Sequence, residues 1–289
     1  MFGIIDAIEN WIRDLLISLI TSNLTTLFDD VNSKVGTIAT EVGQTPQGWN
    51  SSIFQMIRTL SDNVILPIAG LIITFVLCYE LITAITEKNN MHDVDTFIFF
   101  KYVFKAAIAV YLLSHTFDIT MAVFDVAQTV VTQAGGIITN ETSIDIATTI
   151  AAMETEMEAM SIGGLVQLAL ETLIISLSLK IMSILITVIL YGRMIEIYLT
   201  VSVSPIPFAT MTNREWGNIG TNYFRTLFSL GFQGFFMIVC VAIYAVLVNN
   251  MIVAENIHSA LFSIAAYTVI LCISLFKTGS LSRSLFGAH

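Results

Sequence analysis

The chain has 289 residues, 55% of them hydrophobic and only 12% charged, with a mean hydropathy of +0.81. Soluble domains run to about 45–50% apolar and about 25% charged residues, so this sequence cannot cover a water-facing surface and reads as a membrane protein. A formal charge of −10, from 22 acidic and 12 basic residues, excludes a general nucleic-acid-binding face, which needs clustered Lys and Arg.

Residues 2–21 predict an amphipathic helix. Ile4, Ile5, Ile8, Trp11, Ile12, Leu15, Leu16 and Leu19 recur at three- and four-residue spacings, with Asp6, Glu9, Asn10, Arg13 and Asp14 opposite. So many charges in three turns argue against a bilayer crossing. The helix is expected to lie in the interface, to pack on a partner, or to cap the bundle. Its polar face is acidic, so anionic lipid is not what attracts it. The absence of a basic n-region argues against a secretory signal peptide. Residues 22–62 are polar, with Gly36, Gly43 and the turn-forming TPQGWN at 45–50. They predict a soluble connector with helical pieces, which completes an extracytoplasmic region over 1–62.

The remainder, 63–289, reads as an all-α transmembrane domain of about five spans. About 20 apolar residues cross a ~30 Å hydrocarbon layer, which the run 64–85 satisfies, with Pro67 in its first turn where a missing N–H costs little. A second span covers 97–117, where Lys101 and Lys105 lie one turn apart and can snorkel to one surface. Residues 118–161 hold seven acids and no Lys or Arg. They predict an external acidic loop, with 119–138 as a helix on the outer surface. A long helix over about 163–193 follows. Next comes a broken or in-plane segment around 194–212, because Pro205 and Pro207 cannot both continue a regular helix. Spans over about 226–248 and 257–276 complete the set. Cys78, Cys240 and Cys272 lie inside apolar runs, with no CxxC pair to suggest a zinc site or disulfide.

Cytoplasmic loops collect Lys and Arg. Lys88, Lys101 and Lys105 place the 86–96 loop inside, and hence the N-terminus outside; Lys277 and Arg283 place the C-terminus inside. Counting from either end puts the basic-free 118–161 segment outside and Arg214 and Arg225 inside. The tract 162–212 must then cross an odd number of times, and three crossings of about 20 residues do not fit it. One long helix plus a broken segment does. Six spans, with Arg214 and Arg225 outside, is the count the charge rule disfavours.

Polar groups inside the membrane are the informative ones. Thr172, Ser176, Lys180, Ser183 and Thr187 are spaced by four, four, three and four, which is one helical face. That stripe either lines an aqueous path or forms a helix–helix seam, where small hydroxyl residues permit close approach and Lys180 meets an acid from a neighbour. Glu80 is one candidate for that acid. Arg193 and Glu196, three apart, can pair with each other. Gly231, Gln233 and Gly234 predict close backbone packing and one buried hydrogen bond. The spacing of Met153, Met157 and Met160 among glutamates suits either soft-metal ligation or, more commonly, the apolar face of a short helix. No HExxH, GxSxG or Walker-type motif occurs, and the four histidines are scattered. Catalysis, metal and cofactor binding are therefore not expected.

The segment YLTVSVSPIPFATMTNREWGNIGTNYFRTLFSLGFQGFFMIVCVAIYAVLV, 198–248, resembles the TrbL-like polytopic inner-membrane subunits of type IV secretion systems. The resemblance is closest to the form found in conjugative elements of Gram-positive bacteria. It rests on the turn Ser204–Pro207, the polar loop with Trp216 and Gly220, and Gly-Phe-Gln-Gly at 231–234; before Leu165 it is architectural only. It implies a scaffold or channel subunit forming a homo-oligomeric ring in the plasma membrane, among lipid, beside secretion ATPases and a coupling protein. Such subunits are associated with passage of single-stranded DNA and protein. No family active site exists to carry over. A different class, a small secondary transporter or ion channel with its site at 194–212, would show internal repeats and paired broken helices. The sequence has one broken segment and no repeat.

Overall fold

The computed structural model describes residues 2–86, 96–139, 145–213, 215–252 and 256–288. Of these residues 93% are helical and none is in a strand. In chain order the helices are α1 (Phe2–Val42), α2 (Pro46–Trp49), α3 (Ser51–Leu60), α4 (Leu66–Thr86), α5 (Thr96–Ser114), α6 (Thr116–Thr139), α7 (Ile146–Glu158), α8 (Ile162–Ser202), α9 (Pro205–Thr210), α10 (Gly217–Ile252) and α11 (Ile257–Phe286). Ser51–Thr86, Ile162–Ser202, Gly217–Met251 and Ile257–Phe286 are each long and apolar enough to cross a membrane. α5 and α6 are apolar enough only when taken together, bent by 66° at their junction, as one broken span or a re-entrant pair, which makes four or five crossings among the described residues. The protein is an all-α multi-pass membrane protein.

Three boundaries differ from the sequence expectation. The polar stretch after residue 21 does not fray into a connector, because α1 continues unbroken to Val42. Leu24, Leu27, Phe28, Val31, Val35, Ile38 and Val42 keep the helical spacing and are buried. The first span starts early, at Ser51, because α3 and α4 are fused through a π-helical turn over Ser61–Ile65. Leu66 N–H bonds to Ser61 O, five residues back. That wider turn lets the chain pass Pro67, whose ring would clash with the carbonyl four residues earlier in a regular helix. Finally, α8 runs on through Ser202, so the break begins at 203 rather than 194.

The bend between α5 and α6 sits at His115. Thr116 Oγ1 donates back to Leu113 O at 2.7 Å and Leu112 O at 3.1 Å. Such back-bonding competes with the helical ladder and bends helices. The His115 ring stacks on Tyr111, with centroids 4.4 Å apart.

Two units pack separately: Met1–Gly43, Val131–Leu190 and Phe236–Thr278 in the first, Gln44–Val130, Tyr191–Phe235 and Gly279–His289 in the second. In the first, α1 lies against α7 and the N-terminal part of α8. Asp145 caps α7, accepting from the Thr148 hydroxyl at 2.6 Å and its N–H at 3.3 Å, which holds its carboxyl below the ordinary carboxylate range. Met153 and Met157 are buried on the inner side of α7. The core of the second unit joins Phe54, Ile73, Phe117, Ile197, Phe208 and Leu227. There Tyr198 OH donates to Pro46 O at 2.6 Å, tying the α2 turn to α8.

Candidate functional site

In the first unit, the level of the membrane stripe is set by two contacts between α1 and α8. Asn23 Nδ2 donates to Thr172 Oγ1 at 3.4 Å, and Lys34 Nζ donates to Leu179 O at 3.0 Å. Lys34 is only 7% exposed. Its aliphatic stem packs among apolar side chains while its charge meets a main-chain carbonyl and the field of Asp30. The predicted stripe is therefore not uniform. Thr172 is fully buried beneath α1, Ser176 and Ser183 are half-buried, and Lys180 and Thr187 are exposed at the edge of the packed face. Lys180 makes no hydrogen bond or ion pair among the described residues.

Two ionic pairings differ from expectation. Glu80 does not meet Lys180; its carboxylate takes both bonds from Lys105 Nζ, at 2.5 and 2.6 Å, across α4 and α5. The two charges neutralise each other locally, so Lys105 does not snorkel freely. Arg193 does not pair with Glu196 on the same helix. Arg193 is buried against α10, where Nη2 donates to Leu230 O at 3.4 Å and Nε has no partner among the described residues. Glu196, on the outward side of α8, pairs with Arg283 of α11.

The Ser204–Pro207 turn is built as the two prolines require. Pro205 occupies the first position of α9 and Pro207 the third, where no intrahelical N–H partner is lost. Ser204, Pro205, Phe208 and Ala209 are buried, and Phe208 packs on Tyr223 and Phe224 of α10. Trp216 stacks on Phe75 and Tyr79 of α4, at 5.7 and 5.8 Å between centroids, while Tyr79 OH donates to the Glu215 carboxylate. The glycine pair behaves as a packing device. A Cβ on Gly231 would come within 2.9 Å of Ala127 Cβ. Gly234 is buried beside Gln233, whose amide lies under Gly279.

Sequence reasoning missed Asn23, Lys34 and the Glu171–His258 pair, which joins α8 to α11 and is extended by Gln167 Nε2 on Glu171 at 2.8 Å. The signal for Lys34 was present in the buried spacing from Leu24 to Val42. For Glu171 and His258, 87 residues apart, no local signal exists. Lys88, His92, Asn140, Glu141, Arg214 and part of the 249–256 loop lie outside the described residues.

The arrangement holds no catalytic constellation among the described residues; its distinctive property is charge and hydroxyl groups held at the level of an apolar tract. Residues 31–205 match the family model described as TrbL/VirB6 plasmid conjugal transfer like protein. The match takes in α8, the stripe and the start of the Ser204–Pro207 turn, and overlaps the quoted 198–248 segment only at its beginning. No curated protein and no solved structure matches the chain.

Proposed function

The chain belongs to the TrbL/VirB6 plasmid conjugal transfer-like family, a conjugal-transfer component, and on that premise we propose that it is a channel or scaffold subunit of a type IV secretion machine. Copies assemble as a ring in the bacterial plasma membrane, beside the ATPases that power the machine, and help single-stranded DNA and protein across. The observation that carries this reading is Lys180, an exposed cation with no partner among the described residues, in the middle of an apolar helix long enough to cross a membrane. A charge at that level is costly against lipid and is relieved by water or by a neighbouring protein surface. Assembled copies supply either, as a lumen or as a seam holding Lys180, Ser183 and Thr187.

The N-terminus lies outside and the C-terminus inside, as the basic residues Lys101, Lys105, Lys277 and Arg283 favour. A cysteine at exposed Thr155 of α7 is then labelled from outside in intact cells; labelling only after lysis contradicts that orientation. Lys180→Leu inserts normally and accumulates to the wild-type level, yet conjugal transfer falls by about tenfold or more. Unimpaired transfer in that variant removes the stripe from the mechanism.

A further inference from the structure

The N-terminal helix has no apolar run long enough to read as a span, yet its contacts hold its second half beside the apolar tract of α8. Asn23 meets Thr172 and Lys34 meets Leu179. At that same level α8 exposes Leu173, Ile174, Leu177 and Ile181 on its other side, which only lipid or protein can cover. The outward face of α1 at this level has the opposite chemistry. Ser22, Thr26, Asp29, Ser33, Thr37 and Thr40 are all exposed, at spacings of four, three, four, four and three. On a helical wheel they lie opposite the buried Leu24, Leu27, Val31, Val35 and Ile38.

The face is not polar along its whole length. Over the first five turns the same angular position carries Ile8, Trp11, Leu15 and Leu19, all exposed. They sit at the level of α7, which α1 meets through its opposite face, where Arg13 Nη1 donates to the carbonyls of Glu158 at 3.0 Å and Met160 at 2.6 Å. The helix thus changes from apolar to polar as it passes from the acidic α7 to the apolar tract of α8, the reverse of what a lipid-facing helix would do. Thr26 and Thr40 return their hydroxyls to the carbonyls of Ser22 and Gly36, which lipid tolerates, but the exposed Asp29 carboxylate, with Ser22, Ser33 and Thr37 on the same face, is not solvated by hydrocarbon.

We propose that the 22–40 face of α1 borders water at membrane depth, in a space that further copies of this chain enclose. The inference rests on the ring reading given above and assigns the wall of its conduit chiefly to α1, with Lys180 at the margin. Five of the six residues are hydroxyl-bearing and the sixth is an acid, so this wall hydrates readily and carries no phosphate-binding cation. That suits passage of a polyanion without retention.

Single cysteines at Ser22, Thr26, Ser33 and Thr37, in a chain with Cys78, Cys240 and Cys272 replaced by serine, test this. Each variant is treated with a charged, membrane-impermeant maleimide in intact cells and in inside-out vesicles. Leu173→Cys and Leu177→Cys on α8 serve as lipid-facing references. The four α1 positions are expected to react, from one side or the other, about tenfold faster than the references. Rates as slow as Leu177→Cys would overturn the proposal, because the face would then be sealed by protein or lipid. Equally fast labelling of Leu177→Cys would also overturn it, because that level would lie outside the hydrocarbon. The labelling does not depend on transfer. Loss of the secretion reading would show as fast α1 labelling in a protein whose removal leaves conjugation unchanged.

Discussion

Gly220→Val is expected to be the most damaging single substitution in the described structure outside the conduit. Gly220 lies in the first turn of α10, where it faces α9 and the chain just beyond it. A Cβ there would overlap the Met211 side chain and stand 2.8 Å from the main-chain carbonyl of Pro207. The methionine can move; the carbonyl belongs to a helix whose start is fixed by Pro205 and whose Phe208 is locked between aromatic rings. Overpacking by extra methyl groups costs about 1–3 kcal/mol, and three added carbons against backbone place this variant at the upper end. At about 2–4 °C per kcal/mol for a chain approaching this size, the detergent-solubilised protein should melt roughly 6–12 °C earlier. Gly192→Ala is the control, since a Cβ there meets nothing within 4 Å and replacing a mid-helix glycine stabilises by about 0.5–1 kcal/mol. Equal melting temperatures for the two variants would contradict the packing described for α9 and α10.

Glu80→Leu should destabilise for an electrostatic reason. It removes the acceptor of both Lys105 bonds and leaves an ammonium between α4 and α5 with its partner gone. Stranding a fully buried charge costs about 3–5 kcal/mol. Here the Glu80 side chain is 16% exposed but Lys105 is 42% exposed, so Lys105 recovers part of its hydration and about 2 kcal/mol is expected. The double variant Glu80→Leu with Lys105→Leu should return most of that loss, because an apolar pair suits a membrane bundle as well as an ion pair does. A double variant as unstable as the single one would show that Glu80 acts through something other than Lys105.

Much of this architecture is legible in the sequence, because the solvent imposes it. An apolar run of span length in a chain with few charges has only a helix to form, and the spans around 64–85, 163–193, 226–248 and 257–276 all contain stretches that prove helical. The prolines of the Ser204–Pro207 turn likewise mark a helix break, though α8 persists to the residue before the turn region rather than yielding near Arg193. What was not legible is long-range pairing. Arg193 and Glu196 have the spacing of an intrahelical pair, yet burial of one against α10 and exposure of the other toward Arg283 separate them. Glu80 finds Lys105 rather than Lys180 because α5 packs on α4. The polar half of α1 misleads for a different reason. A polar stretch next to an amphipathic one suggests a connector, while its buried aliphatic spacing, which holds the helix to Val42, is visible only if the polar residues are read as a face.

A mating assay in the native host decides whether the chain is a working part of a conjugation machine. The reading frame is deleted and then restored in trans, with growth and the levels of the secretion ATPases followed in parallel. DNA transfer is expected to be lost on deletion, with growth and ATPase levels unchanged, and to return with the wild-type gene. Transfer at wild-type frequency in the deletion strain would rule that role out, and solute uptake would then become the activity to measure.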